Sequence, residues 1–438
     1  MKNTLQYRLS LALISMAALP CSLFAGSISQ DLTNQLRSGK NVNVIVFYAD
    51  GETPPSRAPE TSEQLIRRLQ SHHEETMRLV QTRGAFRGNR IYSDSWISNS
   101  ISMVADKATV QTMANHPAVK RIIWDAPVEV PETQETTGTP DMGPYTYGLK
   151  NLKIPEVRTS FGLTGKGVRV GHIDSGVDGE HPALKGRITL WKDFAETSQT
   201  PVDKNGHGTH TAGTIAGGIV NGTAIGVAPE AELIVARGIG GSSLSNLLKS
   251  MQWMLDPDGN PATKDSPRVV SMSWHTGAGN QDAFYEAIDA FKAAGIIPCY
   301  SAGNAGTSGI THPKEHPDCI AVAAVDEKDV IASFSSRGPA TFKGQEQKKP
   351  DWSCPGVDVY SSTPGGKYGK KSGTSMAAPH CAGVIALMLQ ADPTLTCGRV
   401  KEILIQTSLD LGPQGWDGGY GHGRLNAFDA VSAVKKGH

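Results

Sequence analysis

The sequence predicts an α/β protein with a mainly parallel sheet covered by helices on both faces, preceded by a small α+β unit. Two patterns and one exclusion carry this expectation. After residue 143 the chain holds five short apolar runs, at 168–173, 233–236, 269–272, 296–300 and 320–325, with helical stretches between them. Strands that are apolar throughout and alternate with helices belong in a parallel sheet buried on both sides. Before residue 131 the alternation of strand-like and helix-like segments is on a smaller scale. The 48 glycines follow no three-residue period, which sets aside a collagen-like chain.

The elements follow in order. Lys2 and Arg8 precede an apolar run of 11 residues, 9–19, followed by Pro20 and Ala25. This is the layout of a secretory signal peptide, 1–25, cut after Ala25. The run is too short to span a bilayer, and no later segment approaches 18 consecutive apolar residues. The expected product is secreted, extracellular or periplasmic, with no membrane span. A lipid anchor on Cys21 is disfavoured because Pro20 stands where a small residue is needed.

Residues 26–130 read as strand (43–47), helix (62–81), strand (90–104), helix (107–115) and strand (119–124), a ferredoxin-like α+β order. In the long helix Leu65, Ile66, Leu69, Met77 and Val80 recur at near-helical spacing, and His72 and His73 fall on its polar face. Residues 131–143, with Pro131, Gly138, Pro140 and Gly143, read as an exposed linker. The large α/β unit occupies 144–438.

Composition narrows the function. With 42 Lys+Arg against 42 Asp+Glu the chain lacks the basic excess of a nucleic-acid binder. At 38% hydrophobic and 19% charged it is not disordered. Beyond Cys21 there are five cysteines: Cys299, Cys319, Cys354, Cys381 and Cys397. In an oxidising compartment this odd number allows at most two disulfide bonds, whose pairing the sequence does not give. Disulfides and buried free thiols both stay open.

In a parallel sheet the functional crevice lies beyond the carboxyl ends of the strands. There the chain places Asp174-Ser175-Gly176, Asn205-Gly206-His207-Gly208-Thr209-His210, Ala302-Gly303-Asn304 and Gly373-Thr374-Ser375-Met376-Ala377. Amide hydrolysis by serine needs a nucleophile, a base, a carboxylate that orients the base, and donors for the oxyanion. Singly, Ser375 reads as a helix cap, Asp174 as a turn residue, His207 as a packed side chain and Asn304 as a left-handed turn. Jointly they supply one residue for each role.

These blocks resemble those of the subtilisin-like serine proteases. The resemblance extends to Thr164-Gly165-Lys166-Gly167-Val168, Gly226-Val227-Ala228-Pro229, Ser333-Phe334-Ser335-Ser336, Pro355-Gly356-Val357 and Tyr420-Gly421-His422-Gly423-Arg424-Leu425-Asn426, and covers about 150–430. It implies Asp174 as the orienting acid, His207 as the general base, Ser375 as the nucleophile and Asn304 as an oxyanion donor. It also implies that Ser273 and Trp274 on one side, Gly240 and Gly241 on the other, and Gly303 line the substrate. Binding is then by strand addition to extended polypeptide. His210 is expected to be structural. By the same resemblance residues 26–130 are a propeptide that assists folding and inhibits the enzyme, cut by the enzyme itself within 131–143. The expected enzyme is a monomer and requires no cofactor. The rivals are a non-catalytic peptide binder on the same fold and a triad esterase or amidase.

Departures from the family pattern are informative. Where many relatives have a calcium carboxylate after the proline, this chain has Ala183, and loop 218–222 is poor in oxygen side chains. The common strong calcium site is therefore expected to be absent, while calcium elsewhere stays open. His275 replaces a usual glycine beside the specificity pocket and Ala305 follows Asn304, leaving the P1 preference open, with bulky apolar as the family default. The spacing His312-Pro313-Lys314-Glu315-His316 fits one zinc peptidase motif, but prolines at 313 and 317 make it a loop rather than the helix that zinc would need.

Overall fold

The computed structural model describes residues 26–49, 60–82, 90–136, 143–276 and 282–437. The expected signal peptide and residues 137–142 of the expected linker lie outside the described residues.

The large unit is built on a seven-stranded sheet of β8 (Arg169–Asp174), β9 (Ile188–Asp193), β12 (Glu232–Arg237), β14 (Val269–Met272), β15 (Ile297–Ser301), β16 (Ile320–Val325) and β19 (Trp352–Pro355). Their spatial order is β19-β16-β15-β14-β8-β12-β9, and every pairing is parallel. Alternate residues serve opposite faces. Leu233 and Val235 join a core with α6 (His207–Ala216), α9 (Thr374–Ala391), α10 (Cys397–Thr407) and α11 (Ala427–Lys435). Ile234 and Ala236 join a second core with α7 (Leu244–Leu255) and α8 (Tyr285–Ala293). Helix α9 is buried all round from Thr374 to Leu389, so it runs through the protein rather than over it. Two short helices, α4 (Tyr147–Asn151) and α5 (Ile154–Phe161), lead into the unit. Its smaller strands are β10 (Ile219–Val220) with β11 (Thr223–Ala224), β13 (Ser242–Ser243), β17 (Ala340–Phe342) with β18 (Gln345–Gln347), and β20 (Val359–Thr363) with β21 (Lys367–Ser372).

Five strands of this sheet match the apolar runs; β9 and β19 do not. β9 is an edge strand whose Thr189 and Lys192 break the apolar run, and β19 is only four residues containing a serine and a proline.

The first unit is a sheet of β1 (Ser27–Ile28), β2 (Val42–Tyr48), β3 (Ile91–Ser95), β4 (Ser100–Ala105) and β5 (Val119–Trp124) in the order β1-β5-β2-β4-β3. Val44, Val46 and Tyr48 pack with residues of α1 (Gln30–Leu36), α2 (Ser62–Thr82) and α3 (Lys107–Ala114). Ile45, Phe47 and Ile123, on the opposite face, join the core that contains α7 and α8. β2 is therefore buried from Val44 to Tyr48 because its second face docks on the large unit. Arg121 secures the contact: it lies 3.8 Å from the Phe47 ring centroid and bonds both oxygens of Glu286 in α8 at 3.0 and 2.9 Å.

Two expectations for this unit are corrected. The single strand at 90–104 is two strands, because Asn99 takes a left-handed conformation (φ 44°) after a turn at Trp96–Ser98. Gln252 of α7 accepts the backbone N–H groups of Trp96 and Ile97, so a tertiary contact stabilises the break. His73 is buried, not on a solvated face, and its Nδ1 bonds the Asn99 side chain at 3.1 Å.

Of the two readings of the cysteines, the structure has free thiols and not disulfide bonds. All five described cysteines are free, and all but Cys397 are buried. Cys299 of β15, Cys354 of β19 and Cys381 of α9 share the core between sheet and helix. Burial first, then the Cys381 thiol, push the Cys299 and Cys354 thiols well up, which keeps them protonated and inert.

Candidate active site

The four predicted motifs converge at the carboxyl end of the sheet. Asp174 ends β8, His207 opens α6, Asn304 follows β15 and Ser375 is the second residue of α9.

His207 Nδ1 donates to Asp174 Oδ1 at 2.7 Å, both side chains being 1% exposed. The Ser175 backbone N–H donates to the same oxygen at 2.7 Å, and Thr211 Oγ1 donates to Asp174 Oδ2 at 3.1 Å. With its one hydrogen so placed, Thr211 accepts from His172 Nε2 at 2.8 Å. Burial pushes the Asp174 carboxyl up, but the charge and hydrogen bond of His207 outweigh it and hold the group below the usual carboxylate range. Burial pushes His172 down, so it serves as a neutral donor. His207 Nε2 has no hydrogen-bond partner among the described residues.

Asp203 holds the start of α6. Its carboxylate accepts from the backbone N–H groups of Asn205, Gly206 and Thr209 and from the hydroxyls of Thr209 and Ser175, at 2.6–3.0 Å. Gly208 has no substitute: a Cβ there would lie 2.1 Å from the Gly176 carbonyl oxygen, where the Asp174 turn meets the His207 helix.

Thr374 orients the third corner. Asn304 Oδ1 accepts from the Thr374 N–H and hydroxyl at 2.9 and 2.8 Å, which turns Nδ2 outward. The Gly303 N–H donates to Thr374 Oγ1 at 3.1 Å. Asn304 Nδ2 then donates to the backbone carbonyl of Glu132 at 3.2 Å. Ser375 is buried at the amino end of α9, and its carbonyl accepts the Ser273 hydroxyl at 3.0 Å.

Glu132 belongs to a segment that runs through the cleft. Upstream, β6 (Pro127–Val128) pairs antiparallel with β13, and Gly240 N–H bonds Val128 O at 3.4 Å. A Cβ on Gly240 would meet Val130 Cγ2 at 3.1 Å, so the bare backbone makes room for that side chain. Downstream, β7 (Gln134–Thr136) pairs antiparallel with β21, and Thr136 Oγ1 bonds Asp358 at 2.7 Å. A cleft of about 860 Å³ remains between this segment and His275, Thr276, Asn304 and Thr311.

Other predicted positions fall differently. The Trp274 side chain is fully buried, edge-on to Tyr300 and tilted on Phe284, so only its backbone can face a ligand. The Ser273 hydroxyl is engaged within the protein. Gly241 precedes β13, on the wall that β6 joins. His210 is buried with Nε2 2.9 Å from Val359 O, and burial first, then Lys371, bring its pKa down to about 3. His312 and His316 do not converge: His312 faces Glu315 at 2.8 Å, while His316 faces Asp289 at 3.4 Å. Sequence reasoning missed Thr211, His172, Asp203 and Thr374, whose only local signal is their nearness to the motifs.

The sequence pattern of the Subtilase family matches residues 165–423, more than half of the chain. The chain is 32% identical over 382 residues to bacillopeptidase F of Bacillus subtilis (strain 168), covering 78% of this chain and 26% of that protein. It is 37% identical over 309 residues to serine protease AprX of the same organism, covering 63% and 68% of the two chains. Subtilisin E of that organism is 35% identical over 293 residues, covering 65% and 71%. The chain thus spans about a quarter of bacillopeptidase F and some two thirds of the other two. With an aspartate-held histidine, a serine at a helix start and a family match across all of them, the chain belongs to the subtilase family of serine proteases, and so is a hydrolase of peptide bonds.

Proposed function

We propose that the protein is an exported serine endopeptidase, made as a precursor, that hydrolyses extended polypeptide segments through Asp174, His207 and Ser375. Ser375 Oγ attacks the peptide carbonyl while His207 Nε2 takes its proton, and Asp174 keeps the ring in the tautomer that leaves Nε2 able to accept. Asn304 Nδ2 and the amino end of α9 stabilise the oxyanion. The leaving amine takes the proton from His207, and water then hydrolyses the acyl-enzyme by the same route. Nucleophile, base and oxyanion donors all come from the chain, so the reaction calls for no cofactor.

The observation that carries the reading is a peptide carbonyl, that of Glu132, held by the Asn304 amide. Residues 26–132 then act as the propeptide and inhibitor, 1–25 as the export signal, and Glu132–Thr133 as the bond the enzyme cuts in itself. An acidic residue before that bond means that the specificity pocket need not hold a bulky apolar side chain. The mature enzyme is proposed to act as a monomer without the common strong calcium site.

Fluorophosphonate labelling at Ser375 together with casein digestion tests the reading. Labelling and digestion are expected, both abolished by Ser375→Ala. No labelling points to a peptide binder, and labelling with ester but no casein hydrolysis points to an esterase.

A further inference from the structure

We propose that the loop 256–265, between α7 and β14, is a calcium-binding site with Asp256, Asp258 and Asp265 as its carboxylate ligands. The loop reads Asp256-Pro257-Asp258-Gly259-Asn260-Pro261-Ala262-Thr263-Lys264-Asp265. One oxygen from each of the three carboxylates lies within 4.8 Å of the other two. Three negative charges at that spacing repel one another, and no lysine, arginine or histidine pairs with any of them among the described residues.

A second observation points to a ligand. Asp256 is 8% exposed, and its Oδ1 is shielded from solvent with no hydrogen-bond partner among the described residues. A buried carboxylate oxygen left without a partner is costly, and a bound cation removes that cost.

The loop is already shaped around these groups. Asp258 Oδ1 accepts the Asn260 N–H at 2.8 Å and the Thr263 hydroxyl at 3.1 Å, while Asp265 Oδ2 accepts the Asp258 N–H at 2.9 Å. These bonds orient the carboxylates. The donors are all oxygens, with neither cysteine nor histidine among them, which favours a hard cation over zinc. Calcium takes six to eight oxygens, so backbone carbonyls and water complete the shell. The other close group, Asp289, His316 and Asp318, already carries its own cation, since Lys292 Nζ lies 2.9 Å from Asp318.

The loop enters β14 at its amino end, opposite the carboxyl end that leads to Ser273. Calcium here should therefore act on stability rather than on the chemistry.

Trp253 supplies a local reporter, because its indole N–H donates to the Pro257 carbonyl at 2.8 Å. The test uses the full chain carrying Ser375→Ala, which prevents self-digestion. Terbium is expected to give tryptophan-sensitised emission that excess calcium displaces, and saturating calcium to raise the melting temperature by about 5 °C. Adding Trp253→Phe should cut the emission several-fold and leave the calcium shift in place. Adding Asp258→Asn with Asp265→Asn should weaken terbium binding at least tenfold and abolish the shift. In chelator that variant should melt at or above the Ser375→Ala parent, since the repulsion is gone. The proposal is overturned by absence of sensitised emission at millimolar terbium, by emission that Trp253→Phe leaves unchanged, or by a calcium shift that survives Asp258→Asn with Asp265→Asn.

Discussion

The side-chain amide of Asn304 donates to the backbone carbonyl of Glu132 at 3.2 Å, in the register that the pairing of β6 with β13 and of β7 with β21 gives the segment in the cleft. The carbonyl at the oxyanion donor is that of the bond attacked. The mature protein is therefore expected to begin at Thr133, read by N-terminal sequencing, and Ser375→Ala to accumulate a precursor with the 132–133 bond intact. A wild-type N-terminus elsewhere, or processing of the Ser375→Ala protein, would refute the assignment.

Asn304→Ala should lower kcat by about 10²–10³-fold with a smaller change in KM, the usual cost of one oxyanion donor. Thr374→Val removes one bond to Asn304 Oδ1 and the acceptor for Gly303. Steady-state kinetics should show a loss in the same direction, about tenfold, because Thr374 only orients the donor.

Thr211 links Asp174 to His172 and is a positioning residue. Thr211→Val should reduce kcat by about tenfold or more, from loss of one hydrogen bond to a buried charge, with KM little altered. Asp174→Asn should cost about 10⁴ in kcat, because the ring then loses its tautomer. A drop in KM comparable to that in kcat for Thr211→Val would count against the positioning role.

The first unit should release at low pH through Glu286. Burial pushes this carboxyl up, but Arg121 and then Lys120 outweigh it and bring its pKa down to about 2. A depressed carboxyl favours docking at pH above its undocked value, near 4.5, and that contribution is lost as pH falls from there towards 2. Inhibition by residues 26–132 added in trans should therefore weaken over this window. Glu286→Ala, which takes from the buried Arg121 its two-oxygen partner and leaves it Asp282, should raise the inhibition constant by about 100-fold at neutral pH, about 3 kcal/mol. A pH-independent inhibition constant would overturn this.

Thiol titration checks the cysteines. The unfolded mature chain should react at five thiols without added reductant, whereas the folded chain should react slowly and only at Cys397. A single reactive thiol in the unfolded chain would mean two disulfides instead.

Much of the fold was legible because its signals are local. The five inner strands each carry an apolar run, and each motif residue lies at or just after the end of a strand or at the start of a helix, so composition and order alone pointed to the crevice. Strands β9 and β19 were not legible, since an edge strand with Lys192 and a four-residue strand with Ser353 carry no run to detect. The hairpin break at Asn99 was hidden for another reason: Gln252, 153 positions away, supplies the acceptor that stabilises the turn.

By itself the sequence determined the family, the four chemical groups and the presence of a separate unit before them, because a strand's apolar run and a motif's spacing are properties of neighbouring residues. Only the tertiary structure decided that Glu132 is the residue whose carbonyl meets Asn304, that Trp274 turns inward, that the cysteines stay unpaired, and that three aspartates of one loop bring carboxylate oxygens within 4.8 Å of one another. These depend on distances and burial created when segments far apart in the chain pack together, and no local pattern encodes them.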